Sequence, residues 1–442
     1  MFKVVCAIIA GNTLEIYSFV IYSFFAPILA ENFFPEENKL VGIASIFGIL
    51  LFSVLTRPLG AIFFGRMGDN FGRKSALIAS IWLMAFSTVA LSLLPNYATI
   101  GIWAPLLLLV VRLLQGFSYG GELMGSVIFL VEHAPRANKG FYGSFAVVGI
   151  NAGILLACLV TWLIHQNFSY LAIANWAWRL PFLFSLLGCL VGWLMRRNVS
   201  ETELFLKTQR IPWNYVTLYH EYTKNISNAI IIIAMMLFAT VLAYLLHIFS
   251  FIYMNNILHY SLSQALSINI LSIILLISLL PSMGKLSDHI GRRPVMALAL
   301  IGAIIWALPY FLLLQQNIVM ALLAQLVMTL FAAAYFAVAV VTIVEIISIH
   351  MRFSIVAFNY AVAVSLFGGM TPFIAILLVR TTYSSFSLAL YLVVCALISL
   401  IAVYKVRETK YSPSTGGKNN DNRAENENIK GKISIVAEQL KQ

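Results

Sequence analysis

Gly65-Arg66-Met67-Gly68-Asp69-Asn70-Phe71-Gly72-Arg73-Lys74 lies between two long apolar runs, and Gly284-Lys285-Leu286-Ser287-Asp288-His289-Ile290-Gly291-Arg292-Arg293 lies between two others, 219 residues further on. Gly, Asp, Gly and Arg recur at positions 1, 5, 8 and 9 of the two strings. The other six positions keep their class: basic, apolar, small, polar, apolar, basic. A repeat at this spacing in a 442-residue chain of apolar runs implies two halves built alike, the organisation of many secondary transporters.

The sequence is 61% hydrophobic and 10% charged, with a mean hydropathy of +0.91. A soluble domain carries about 25% charged residues, so most of this surface faces lipid. A helix needs about 20 apolar residues to cross the hydrocarbon core. Apolar runs between polar or Pro/Gly breaks give twelve expected spans: 8–30, 41–64, 75–94, 102–131, 141–164, 176–195, 229–253, 264–283, 294–314, 317–348, 354–379 and 383–404. The expected fold class is an all-α membrane protein with twelve transmembrane helices in two pseudo-symmetric six-helix bundles. The first run, interrupted by Asn12 and Glu15, reads as a retained first helix rather than a leader. Cys6, Cys158, Cys189 and Cys395 are scattered without metal-ligand spacing; they read as small apolar residues, with no metal site and no disulfide framework.

The formal charge of +11 does not describe a nucleic-acid surface, because of where the cations fall. Of 28 Lys and Arg, 23 lie on the side that carries both termini and the duplicated strings. Lys39 and Arg380 lie on the other side, and Arg57, Arg112 and Arg179 lie within or at the ends of spans. By the positive-inside rule both termini and both strings are expected in the cytoplasm, with the chain in a plasma (bacterial inner) membrane. The expected organisation is an N-terminal bundle at 1–196, a cytoplasmic linker at 197–228, a C-terminal bundle at 229–404 and a disordered cytoplasmic tail at 405–442. In the tail, Ile433, Val436 and Leu440 keep helical spacing for about one heptad, short of the three or four that a coiled coil needs.

Within each string the glycines permit a tight reversal and close helix approach. The aspartate can accept hydrogen bonds from a helix N-terminus or an arginine. A second echo accompanies them: Glu132 precedes Lys139 by seven residues, and Glu345 precedes Arg352 by the same seven. Glu132 and Glu345 are therefore expected at helix ends on the same face as the strings, as helix-end charges or as parts of a latch.

The pattern G-x-x-x-D-x-x-G-R-[RK], between spans two and three and again between eight and nine, resembles the loop signature of the major facilitator superfamily. Gly11-Asn12-x-x-Glu15-x-Tyr17, Arg57-Pro58-Leu59-Gly60-Ala61-Ile62-Phe63-Phe64-Gly65, Gln115-Gly116-Phe117-Ser118-x-Gly120-Gly121-Glu122 and Trp176-Ala177-Trp178-Arg179-Leu180-Pro181-Phe182 resemble the metabolite:proton symporter branch. Arg352-x-Ser354-x5-Tyr360 and Gly368-Gly369-x-x-Pro372 fit more loosely. The text between motifs, especially Asn96-Tyr97-x-Thr99-Ile100-Gly101-Ile102-Trp103-Ala104-Pro105, is most similar to proline/betaine transporters. The resemblance implies that Gly65, Asp69, Gly72, Arg73, Gly284, Asp288, Gly291 and Arg292 gate an alternating-access cycle. Two departures stand out. Ser18 occupies a position where the branch has Asp, with Ile16 in place of a Trp, and the tail lacks a long coiled coil.

Charges buried in a bilayer are costly and mark function. Glu15, Arg112 and Glu122 are thus the expected groups for substrate binding or proton coupling, and the superfamily implies the coupling role for Arg112. Arg112, Gly116 and Gly120 share a helix face, which leaves room for a ligand or for close packing. Tyr17 and Tyr119, with Tyr22 and Phe25, could wall a cation site or simply pack; Asn359 is a weaker candidate. His165, His247 and His259 follow no ligand spacing and are expected at boundaries or in packing.

These readings converge on proton-coupled uptake of a small zwitterionic or carboxylate solute. The proton is the coupling ion, and no cofactor, metal or nucleic-acid partner is expected. The expected partners are a small polar solute, protons and the lipid bilayer, and the expected state is monomeric. An efflux antiporter of the same fold and a non-transporting membrane sensor remain alternatives. An enzyme is not expected, since no nucleophile–base pair, metal cluster or phosphate loop appears.

Overall fold

A chain this apolar must satisfy its backbone internally, because lipid offers no hydrogen-bonding partner. In the computed structural model, which describes residues 1–34, 39–197, 199–207, 222–382, 384–406 and 408, it does so by helices, with no strand among the described residues. The middle of the linker, including Arg210 and Pro212, and the tail spacing at Ile433, Val436 and Leu440 lie outside the described residues.

The first half contains α1 (Phe2–Phe24), α2 (Lys39–Leu55, continued by Arg57–Asn70), α3 (Arg73–Leu93), α4 (Trp103–His133), α5 (Lys139–Asn167) and α6 (Arg179–Arg197). The second contains α7 (Ile226–Asn255), α8 (Leu262–Ile290), α9 (Arg292–Leu314), α10 (Ile318–Glu345), α11 (Arg352–Thr382) and α12 (Phe386–Lys405). Among the described residues eleven of these are long and apolar enough to cross a membrane by themselves, and a twelfth is reached when the pair Tyr170–Ala177 and Arg179–Leu194, bent by 50°, is counted as one span. Large apolar side chains such as Trp82, Phe86, Leu298, Ile305, Phe373 and Ile401 point outward, as a lipid-facing surface requires.

Two expectations shift. The first span runs from Phe2 to Phe24 instead of 8–30, because Pro27, which has no N–H to donate, opens a separate short helix, Ala26–Phe33. The duplicated strings are mostly helix rather than loop. Helix α2 continues through Asn70 and α8 through Ile290, and the reversals occur at Gly72 and Gly291, with φ of 107° and 110°. Only glycine enters that region without strain.

The halves meet along two equivalent helix pairs, α2 on α11 and α8 on α5. Position 1 of each string lies at these crossings. A Cβ on Gly65 would come within 2.7 Å of the Ser354 Cα, and one on Gly284 would strike the carbonyl of Gly140. The first glycine of the repeat thus allows backbone-to-backbone contact between halves.

Candidate functional site

The end of the bundle that carries the strings is closed by hydrogen bonds between the halves. Asp69 accepts from the backbone N–H groups of Phe353 (3.2 Å) and Ser354 (2.9 Å) and from the Ser354 hydroxyl (2.7 Å). Asp288 accepts from the N–H groups of Gly140 (2.8 Å) and Phe141 (2.9 Å). Each carboxylate therefore caps the first turn of a helix in the opposite half, α11 or α5. Unpaired N–H groups and the helix dipole favour an anion there.

The arginine at position 9 holds each carboxylate in place. Arg73 lies 3.3 Å from Asp69 and 3.3 Å from Glu132, and donates to the carbonyls of Gly68 (2.7 Å) and Ile349 (3.0 Å). Arg292 lies 2.8 Å from Asp288 and 3.2 Å from Glu345. Glu132 also takes Arg352 from the other half at 3.2 Å and the Thr202 hydroxyl at 2.9 Å. Beyond the positive-φ glycines, Glu201 accepts from the N–H of Lys74 (3.0 Å), and Glu408 from those of Arg292 (2.8 Å) and Arg293 (3.1 Å). These two helix-start carboxylates were not singled out from the sequence; the signal was an acidic residue soon after spans six and twelve.

Between the halves lies a cavity of about 290 Å³. Its walls come from α1, α2, α4 and α5 and from their repeats α7, α8, α10 and α11. The lining is mainly apolar and aromatic, with Phe19, Tyr119, Tyr244 and Tyr360, and polar groups from Arg57, Asn151, His247 and Asn269. Arg57 is 4% exposed, its Nε has no hydrogen-bond partner, and it has no ion-pair partner among the described residues. Its guanidinium rests on the faces of Tyr119 (4.1 Å) and Phe19 (4.5 Å). Cation–π contacts of about 0.5–2 kcal/mol each do not replace the hydration that a buried cation loses, so this guanidinium lacks full compensation for its burial.

The expected site residues separate into two groups. Tyr119 lines the cavity. Arg112 does not: it is fully buried behind the wall, donates to Gln115 Oε1 (2.6 Å) and packs over Tyr22 (4.0 Å) and Phe19 (4.8 Å). The room expected beside it is filled, since Gly116 meets the backbone of Ser53 and Gly120 that of Arg57, so the small residues serve helix packing. Glu122 is buried and accepts from the Ser80 hydroxyl, and Glu15 is buried in α1; neither is among the lining residues. Tyr17 donates to the Pro181 carbonyl (2.8 Å), tying α1 to α6. Asn359 donates to its own helix at Ile355 (2.7 Å) and accepts from Tyr222 (2.9 Å). Phe25 packs on Phe182 and His165, away from the cavity. Ser18 is buried and donates to the Leu14 carbonyl (2.8 Å).

Arg57 and His247 were the misses. Arg57 is legible in the sequence as a charge inside an apolar run, but nothing in its spacing shows that it faces the cavity. His247, expected in packing, lines the cavity from a π-helical turn of α7 (Leu245–Phe249), a local irregularity often found at functional sites. Among the described residues no group of three or more His, Cys, Asp or Glu could hold a metal ion.

Comparison with known proteins agrees with this architecture. The chain is 32% identical over 427 residues to the glycine betaine/proline/ectoine/pipecolic acid transporter of Dickeya dadantii strain 3937, covering 94% of this chain and 85% of that one. It is 30% identical over 398 residues to the citrate-proton symporter of Klebsiella pneumoniae, covering 89% of each. Its fold matches the proton:xylose symporter bound to 6-bromo-6-deoxy-D-glucose with a TM-score of 0.79 at 18% identity, over 92% of this chain and 96% of that one. The family model of the Major Facilitator Superfamily matches residues 8–314 and 233–435. The chain, a membrane transporter and not an enzyme, belongs to the major facilitator superfamily.

Proposed function

We propose that this transporter takes up a small zwitterionic or carboxylate solute together with protons, by alternating access of the central cavity. The observation that carries the reading is Arg57, a buried guanidinium in the cavity wall with no ion-pair partner among the described residues. A carboxylate supplies the missing partner through charge-assisted hydrogen bonds. Aromatic faces from Tyr119, Tyr244 and Tyr360 suit the apolar or cationic remainder of such a solute. The transport names of the Dickeya and Klebsiella relatives support the substrate class.

In this reading bundles 1–196 and 229–404 rock against each other, joined by the linker 197–228 and followed by the tail 405–442. Both termini and the strings are cytoplasmic, in a bacterial inner membrane, and a monomer suffices. The state described here is closed on the cytoplasmic side by the Asp69 and Asp288 caps. Glu15, Glu122 and Arg112, buried on cavity helices α1 and α4 but outside the lining, serve proton coupling; Tyr119 faces the solute, and Asn359 and Tyr17 brace the helices around it. The proton is the coupling ion, and no cofactor enters the proposal.

Purified protein in proteoliposomes tests this with labelled proline, glycine betaine, citrate and 2-oxoglutarate, with and without an inward proton gradient. Gradient-dependent accumulation of at least one is expected. Gradient-independent binding without flux would instead indicate a sensor, and proton-driven export an antiporter.

A further inference from the structure

In the same cavity wall as Arg57, the second half of the chain contributes, among the described residues, one buried group whose hydrogen bonding is incomplete. His247 is 9% exposed and lines the cavity, and its Nε2 has no hydrogen-bond partner. The other side of the ring is fixed by Asn269 of α8. The Asn269 Nδ2 donates to the His247 carbonyl (2.7 Å), which turns its Oδ1 toward the imidazole Nδ1 at 3.4 Å. An acceptor facing Nδ1 places the proton of the neutral ring on that nitrogen, and Nε2 is then a bare lone pair. A polar atom buried this deeply without a partner calls for one.

We propose that His247 Nε2 is the second half's share of the solute site. It accepts a hydrogen bond from the solute, so the transported class is a carboxylate that also carries an N–H or O–H donor. The proposal deepens the reading of Arg57 as the carboxylate anchor and rests on it. A fully methylated analogue would leave the lone pair unsatisfied and set a methyl group against it. Sites that hydrogen-bond a donor discriminate strongly against analogues lacking it, more so than apolar pockets discriminate by size. The arrangement also gives each half one polar hold on the solute, Arg57 from α2 and His247 from α7.

The test uses methylated pairs as probes: L-proline against N,N-dimethyl-L-proline, and L-lactate against its O-methyl ether. Initial uptake of each is measured in proteoliposomes under one fixed inward proton gradient. The wild type is expected to favour the unmethylated member of a transported pair by at least about tenfold. His247→Phe, which keeps an aromatic ring but has no acceptor, is expected to bring the pair to near-equal rates, while His247→Gln, which restores an acceptor, recovers part of the preference. Asn269→Ala frees the ring and is expected to weaken the preference even if the histidine variants fail to reach the membrane. Equal rates in the wild type, or a preference that survives in the His247→Phe and Asn269→Ala variants, would overturn the role of His247 while leaving carboxylate uptake standing. Absence of uptake for all four probes, together with glycine betaine, citrate and 2-oxoglutarate, would overturn the carboxylate reading and this proposal with it.

Discussion

Asp69, in the first half of the chain, accepts hydrogen bonds from both the backbone N–H (2.9 Å) and the hydroxyl (2.7 Å) of Ser354 in the second. The repeat reproduces the relationship in reverse, with Asp288 of the second half capping α5 of the first at Gly140 and Phe141. The duplicated string is therefore a pair of reciprocal clasps between halves, each an anion on a helix N-terminus.

Asp69→Asn keeps a hydrogen-bond acceptor but loses the charge at the helix start, a loss of about 1 kcal/mol. The closed population is expected to fall about fivefold relative to the state open at this end. Distances between spin labels on the string ends of α2 and α11 report it as growth of a longer component. An unchanged distribution would show that the cap does not set this equilibrium.

Gly284→Ala pushes a methyl group into the Gly140 carbonyl only while the halves are closed. Overpacking of this kind costs about 1–3 kcal/mol. Alkylation of a cysteine placed at the buried Ser144, in a background without native cysteines, is expected to accelerate in the variant. A rate equal to that of the parent would mean that the crossing loosens without opening.

The two clasps are not equally braced. Arg352 reaches Glu132 of the opposite half (3.2 Å), whereas its repeat, Lys139, has no ion-pair partner among the described residues. Removing one member of a buried pair costs about 3–5 kcal/mol. Arg352→Gln is expected to raise amide exchange at Phe353 and Ser354, and Lys139→Gln to leave Gly140 and Phe141 near their original rates. Equal effects would remove the asymmetry.

Arg112 lies behind the cavity wall, so the coupling role proposed for it would separate from solute binding. Arg112→Gln is expected to retain counterflow exchange with an unchanged half-saturation concentration while losing gradient-driven accumulation. A raised half-saturation concentration would place Arg112 at the solute instead.

The clasps were legible because their requirements are local. Gly72 and Gly291 occupy backbone angles that disfavour other residues, and the reversal at each brings the aspartate at the end of one helix against the arginine at the start of the next. What each aspartate caps was not legible, since Ser354 lies 285 residues from Asp69 and no short pattern encodes that pairing. The cavity was harder still. Eight helices contribute to it, each through a few positions, so no spacing along the chain connects Arg57, His247 and Asn269. Burial alone pointed to Arg112, Glu15 and Glu122, but burial does not distinguish a residue facing the cavity from one sealed behind it.

In the proposed cycle a carboxylate anchored by Arg57 enters with a proton. The direct measurement is the pH of a weakly buffered medium around proteoliposomes when a transported carboxylate or zwitterion is added without an imposed gradient. External alkalinisation in step with solute uptake is expected, lost in Arg57→Gln although the variant inserts normally. Solute uptake with no pH change, or an undiminished signal in Arg57→Gln, would contradict it.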